Sequence, residues 1–174
     1  SGKDKLKIET KKHSAIVEEL GNLDKINAQR KGSLTGFTPQ KQPDIVMSYI
    51  SKLNKIQFFE RTNKRDVTKT LYDLKNLGFL NYEKKGEFYV CTLTESGIRL
   101  LESKDKKTIL IKMIHESEST EKLKLSLKVL KNNPEITIGE FRIAIEELLK
   151  NINSYVYKIK TSRILFKWAV YLNS

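Results

Sequence analysis

Lys160, Arg163 and Lys167 recur three and four residues apart, so on a helix they form one cationic stripe. Between Lys150 and Ser174 there are five Lys or Arg and no Asp or Glu. Ser154, Tyr155, Tyr157, Lys158, Thr161 and Ser162 add hydroxyls and another cation around the start of the same segment. A polyanion with repeating phosphates calls for this set. Cations release condensed counterions, hydroxyl donors fix the register, and the first turns of such a helix reach base edges in a major groove. The competing reading is a solvated face that only keeps a lysine-rich chain dissolved. The loss of acids over this one stretch, in a chain that elsewhere mixes both signs, favours the phosphate reading. Ile164, Trp168 and Leu172 run along the adjoining side at helical spacing and are assigned to the core.

A second cationic group precedes and opens another helix. Arg61, Lys64, Arg65 and Lys69 surround its start, and Thr62, Asn63, Thr68 and Thr70 supply short polar side chains there. A helix start also turns free N–H groups toward a phosphate. Lys84 and Lys85 fall at the tip of a hairpin, where they would touch an adjacent backbone or minor groove; the alternative is a soluble Lys-Lys-Gly turn.

The catalytic readings are poor by comparison. Asp44 after Pro43, followed by Asp73-Leu74-Lys75 or Glu83-Lys84-Lys85, imitates a metal-nuclease signature. That chemistry needs carboxylates on neighbouring strands, and Asp44 and Asp73 fall on helices. His13 and His115 stand apart from any second ligand, and Cys91 reads as a buried thiol in a strand. No phosphate-cradling glycine loop or nucleophile elbow occurs.

The elements that must position these residues are legible from period and punctuation. Segment 1–36 is a Lys-rich helical and loop extension. Pro43 opens a helix carried by Ile45, Val46, Tyr49, Ile50 and Leu53. Asn63 and Asp66 start the next helix, through Val67, Leu71, Leu74 and Leu77, and Gly78 closes it. Phe79–Tyr82 and Phe88–Leu93 then read as strands about a Lys84–Glu87 turn, and Thr94 caps a helix through Ile98, Leu100 and Leu101. A helical run over Ile109, Leu110, Met113 and Ile114 would bridge to a second unit. There a helix over Leu123–Leu130 stops at Asn132-Asn133-Pro134, and Thr137 and Glu140 form a capping box for a helix burying Phe141, Ile145 and Leu148. Ser154 then caps the final helix. The expected class is mainly α with small β-hairpin wings (α+β), a tandem of winged helices. Its parts are an extension 1–36, a winged helix 37–103, and a helix-turn-helix unit 104–174 whose wing is short or missing.

The chain has 174 residues, 33 Lys and Arg against 21 Asp and Glu, and a net charge of +12. Its length excludes a large enzyme, and its charge points to nucleic acid or an acidic surface. A single cysteine and the lack of about 18 consecutive apolar residues predict a cytoplasmic protein with no membrane partner. Ser1-Gly2, with no initiating Met and no apolar leader, reads as part of a longer protein.

The stretch TKTLYDLKNLGFLNYEKKGEFYVCTLTESGIRLLES looks like the second half of a bacterial winged helix. Its continuation through KTILIKMIHES, EITIGEFRIAIEELL and SYVYKIKTSRILFKWAVYL resembles the paired winged-helix recognition modules of type IIS restriction and nicking endonucleases of the FokI kind. Arg163, Ile164-Leu165, Trp168 and Leu172 carry that likeness, which covers 37–174. Between Leu53 and Thr62 the usual middle helix has hardly any room. The resemblance implies recognition of double-stranded DNA by the helix starts at Asn63–Thr70 and Ser154–Arg163. It implies no cofactor in this chain, since a divalent metal such as Mg would belong to a nuclease domain or subunit elsewhere. Two rivals remain: a transcriptional regulator or replication initiator, and a protein-interaction scaffold.

Overall fold

The computed structural model describes residues 36–53, 58–60, 65–149 and 154–174. In chain order these form α1 (Pro43–Leu53), β1 (Phe58–Glu60), α2 (Arg65–Asn76), β2 (Leu80–Lys85), β3 (Phe88–Leu93), α3 (Glu95–Glu102), α4 (Lys106–Glu116), α5 (Glu121–Asn132), α6 (Ile138–Ile145), a 3-10 turn (Glu146–Leu149) and α7 (Tyr155–Asn173). The protein is mainly helical with one small antiparallel sheet, an α+β class. Its described residues divide into two compact units, 36–120 and 121–173. The sequence reading puts the boundary at 103/104; in the structure it falls after Thr120. Helix α4 packs on α3 and belongs to the first unit, where it buries Leu110 and Ile114.

In the first unit α1 packs on α2, and the sheet has the order β1–β3–β2. Strand β1 pairs Phe58 with Val90 and Glu60 with Phe88; β2 pairs Leu80 with Leu93 and Lys85 with Phe88. The hairpin therefore closes on the two residues Gly86-Glu87, shorter than the four-residue turn read from sequence. Gly86 takes the left-handed φ of 61° that such a turn needs at its first position. Val46, Ile50, Leu71, Leu74, Phe79, Leu80 and Leu100 are fully or almost fully buried and make the core.

The end of α2 explains two sequence signals at once. Gly78, at φ 90°, lets the Phe79 N–H donate to the Leu74 carbonyl and its own N–H to Lys75, which stops the helix and starts β2. The Thr94 hydroxyl then donates to the Gly78 and Phe79 carbonyls and accepts the Gly97 N–H at 3.0 Å. One side chain thus caps α3 and ties it to the α2–β2 corner. Gly97 is required because a Cβ there would run into the Phe79 carbonyl.

A second tie lies on the other side of α2. The Asp73 carboxylate is buried in mid-helix and accepts the Gln40 N–H at 2.9 and 3.0 Å and the Lys41 N–H at 2.8 Å. It fastens the segment before α1, whose Phe37 is buried, stacks edge-on against Tyr72 and donates its N–H to the Ser119 carbonyl. Burial pushes the Asp73 carboxyl up to about 7, against the opposing pull of the Gln40 and Lys41 N–H groups and the Lys41 charge.

The regular elements among the second unit's described residues are all helices. Helices α5 and α6 both pack on α7, burying Leu123, Val129, Phe141, Ile145, Leu165 and Trp168. The Thr137–Glu140 capping box is present in both directions, with the Thr137 hydroxyl accepting the Glu140 N–H and the Glu140 carboxylate accepting the Thr137 N–H.

Replacing Gly97 by Ala is expected to destabilise the first unit by about 1–3 kcal/mol in urea unfolding, because backbone rather than a flexible side chain must move. For Asp73 the folded state holds a proton more tightly than the unfolded chain, whose carboxyl titrates near 3.8. Its contribution to stability is therefore full below about pH 4 and is lost as pH climbs to about 7. Unfolding midpoints across that range should fall less steeply in Asp73→Asn than in the parent.

Candidate nucleic-acid interface

Helix α7 sets its outer surface by what it buries on the opposite side. Thr161, Ser162, Ile164, Leu165, Trp168, Ala169 and Leu172 are inside, and Trp168 is fully so. Lys160, Arg163 and Lys167 fall on the exposed side, in line with one another. Among the described residues none of the three side chains takes part in an ion pair or hydrogen bond. The stripe is a row of exposed cations, and Val156 and Val170 continue it at either end.

The start of α7 is held as the sequence predicts. The Ser154 carbonyl accepts the Lys158 N–H at 3.0 Å, and its hydroxyl accepts the Tyr157 N–H at 3.3 Å. Ser154, Tyr155, Val156 and Tyr157 are all exposed, and Lys158 is half-buried. Thr161 does not join them: only 2% of it is accessible, so its hydroxyl cannot serve a ligand at the surface. Ser162 is likewise buried and donates to the Ile159 carbonyl. Both hydroxyls were assigned by nearness in sequence, but one residue further along a helix is about 100° around it.

Beside this start lies a cavity of about 170 Å³ lined by Arg142, Ile143 and Glu146 from the preceding helical segment and by Tyr155, Lys158 and Ile159 from α7. Arg142 is a cation that sequence reasoning passed over. It sits two residues after the capping-box glutamate, and only the packing of α6 on α7 brings it near Lys158.

In the first unit Arg61, Asn63 and Lys64 lie outside the described residues. Arg65 is the first residue of α2. Thr68 is exposed, but its hydroxyl lies 3.1 Å from the hydroxyl of the buried Tyr89, so part of its hydrogen-bonding capacity serves the fold. Lys69 is half-buried, and Thr70 is fully buried. The outward line of α2 is Thr68, Tyr72 and Lys75, and the Lys75 ammonium lies 5.5 Å from the Tyr82 ring centre. Tyr72 and Lys75 were missed, although their four- and seven-residue spacing from Thr68 is visible in the sequence. Lys84 and Lys85 are exposed at the end of β2, next to the hairpin turn, with Phe88 half exposed across from Lys85.

Among the described residues no three His, Cys, Asp or Glu come together as a metal site. Asp73, one of the carboxylates weighed for a nuclease, has its oxygens occupied by backbone N–H groups. Cys91 is buried, and that burial pushes its thiol up to about 11. No described helix is long and apolar enough to cross a membrane. Comparison with protein-family models, with curated proteins and with solved structures finds no match for this chain.

The two faces of α7 should separate cleanly by substitution. Trp168→Ala is expected to cost about 3–5 kcal/mol in chemical unfolding. Lys160→Ala, Arg163→Ala and Lys167→Ala should each stay within about 0.5 kcal/mol of the parent. A loss of several kcal/mol on removing Arg163 would mean that the stripe serves the fold.

Proposed function

We propose that this chain is a sequence-specific reader of double-stranded DNA, with a winged helix in its first unit and a helix-turn-helix in its second. The observation that carries the reading is the exposed stripe Lys160, Arg163 and Lys167, which adjoins the buried Trp168 side of α7 and has no ion pair among the described residues, on a helix that has no acid. A row of cations with no carboxylate near it in sequence has its best partner in a row of phosphates, and contacts with them supply affinity whatever the base sequence. The exposed start of α7, with its serine cap, is the part of such a helix that meets base edges.

The winged-helix reading of the first unit is supported by the order helix, strand, helix, hairpin and by the sheet order, in which β1 lies on the far side of β3 from β2. Strand β1 occupies the stretch in which the sequence leaves no room for a middle helix. The two lysines beside the hairpin turn are the corresponding wing contacts. The further step, to the recognition module of a bacterial restriction or nicking endonuclease, rests on the sequence resemblance. It assigns cleavage and its metal to a domain or subunit outside this chain.

Selection from random duplexes, followed by titration at several salt concentrations, tests the proposal. The parent should bind as a monomer to one short asymmetric motif and weaken steeply with salt. Lys158→Ala combined with Lys160→Ala should weaken binding to all duplexes and flatten the log–log salt slope by about two. Arg163→Ala should in addition relax the preferred motif. A palindrome held by a dimer would replace the restriction module with a regulator, and no retention at low salt would overturn DNA binding.

A further inference from the structure

On the outer side of α7 the three residues before Lys158 form an exposed apolar run. Tyr155 is 64% exposed, Val156 76% and Tyr157 39%, whereas from Thr161 onward the same helix buries one face completely. Single exposed apolar residues are ordinary, but three in succession at the start of a helix carry a solvation cost that a binding role would offset. Among the described residues Val156 is the most exposed of the large apolar side chains. It also has a particular position, because Lys160, Arg163 and Lys167 follow it by four, seven and eleven residues and so share its side of the helix.

We infer that Val156 reads thymine methyl groups in the major groove, a deepening that rests on the proposed duplex-DNA reading. The occupant of this surface must accept an apolar knob with cations immediately beside it. A lipid surface is a poor match, since it takes a helix along a continuous apolar face, and here the apolar run occupies one turn before the stripe becomes cationic. A major groove offers both features within reach. Its walls are phosphates, and thymine alone among the four bases presents a methyl group on its floor.

Spacing agrees with that placement. Along the helix Lys160 lies about 6 Å and Arg163 about 10 Å beyond Val156, distances comparable with a groove about 12 Å wide. With Val156 at the floor, the two cations are carried toward the wall. The same side chain also discriminates against other bases. A valine pressed on guanine or cytosine would strip water from the guanine acceptors or the cytosine amino group and give no hydrogen bond in return. Tyr155, which turns toward the cavity shared with Arg142 and Lys158, flanks the valine on one side.

The test uses duplexes recovered from the random pool by the whole chain at low salt, each resynthesised with deoxyuridine in place of thymidine. That change removes only the methyl group. The parent should bind the thymidine form about fourfold more tightly for each methyl it contacts. Val156→Ala should bind both forms equally while keeping the parent's salt slope, with far-ultraviolet circular dichroism verifying that it is folded. Equal binding of both forms by the parent, with the salt dependence intact, would overturn the inference and leave the DNA reading standing. Discrimination that survives Val156→Ala would also overturn it. Retention of neither form would remove the DNA reading and this inference together.

Discussion

Burial of Trp168 fixes the rotational phase of α7, and the character of the outer surface follows from that phase. A turn of one residue position, about 100°, would bring the indole and its neighbours Ile164 and Leu172 toward water and carry the stripe cations inward. Both movements are unfavourable, the first by exposing apolar area and the second by stripping water from charged side chains. The basic stripe is therefore held in place from both sides. Its charge pattern is clean because the helix carries no carboxylate that could fold back on it.

The first unit reaches a comparable definition by polar ties. Thr94 and Asp73 each bind backbone groups distant in sequence, one at the corner between α2 and β2 and the other ahead of α1. A small core leaves room for α2 to shift along or around its axis; fastening both sides of the helix removes that freedom. The line Thr68, Tyr72 and Lys75 is then the side of α2 that neither tie uses. Tyr72 supports the incoming segment through Phe37, and the lysine lies against an aromatic ring in the hairpin.

Sequence reasoning succeeded where a local device acts on adjacent residues. The Thr137–Glu140 box, the Gly78 stop, the Thr94 cap and the Pro43 start are set within four or five residues, so spacing alone reveals them. It failed where the partner is distant. Strand β1 has three residues, too few to show a period, and its identity comes from pairing with β3. Asp73 resembles a surface acid in α2 until the backbone of Gln40 and Lys41 arrives. Helix α4 reads as a bridge because its apolar residues do not say which neighbour covers them. At the candidate surface the cations of α7 were legible from their spacing, whereas Thr161 was misplaced because hydroxyl type was weighed without helix angle. Arg142 and Val156 were passed over, the first because its surroundings come from another helix and the second because exposure cannot be read from a valine.

The placement of two rare residues gives the protein a reporter in each unit without any substitution. The sole tryptophan of the chain, Trp168, is fully buried in the second unit with Tyr171 edge-on to it at 6.3 Å. The sole cysteine, Cys91, is buried in β3 of the first unit, with a thiol that stays protonated at neutral pH. Emission from the indole reports melting around α7, and alkylation of the thiol reports opening of the sheet around β3. The unmodified chain thus carries one optical and one chemical clock, one in each unit, with which the cooperativity of its halves can be timed in a single solution.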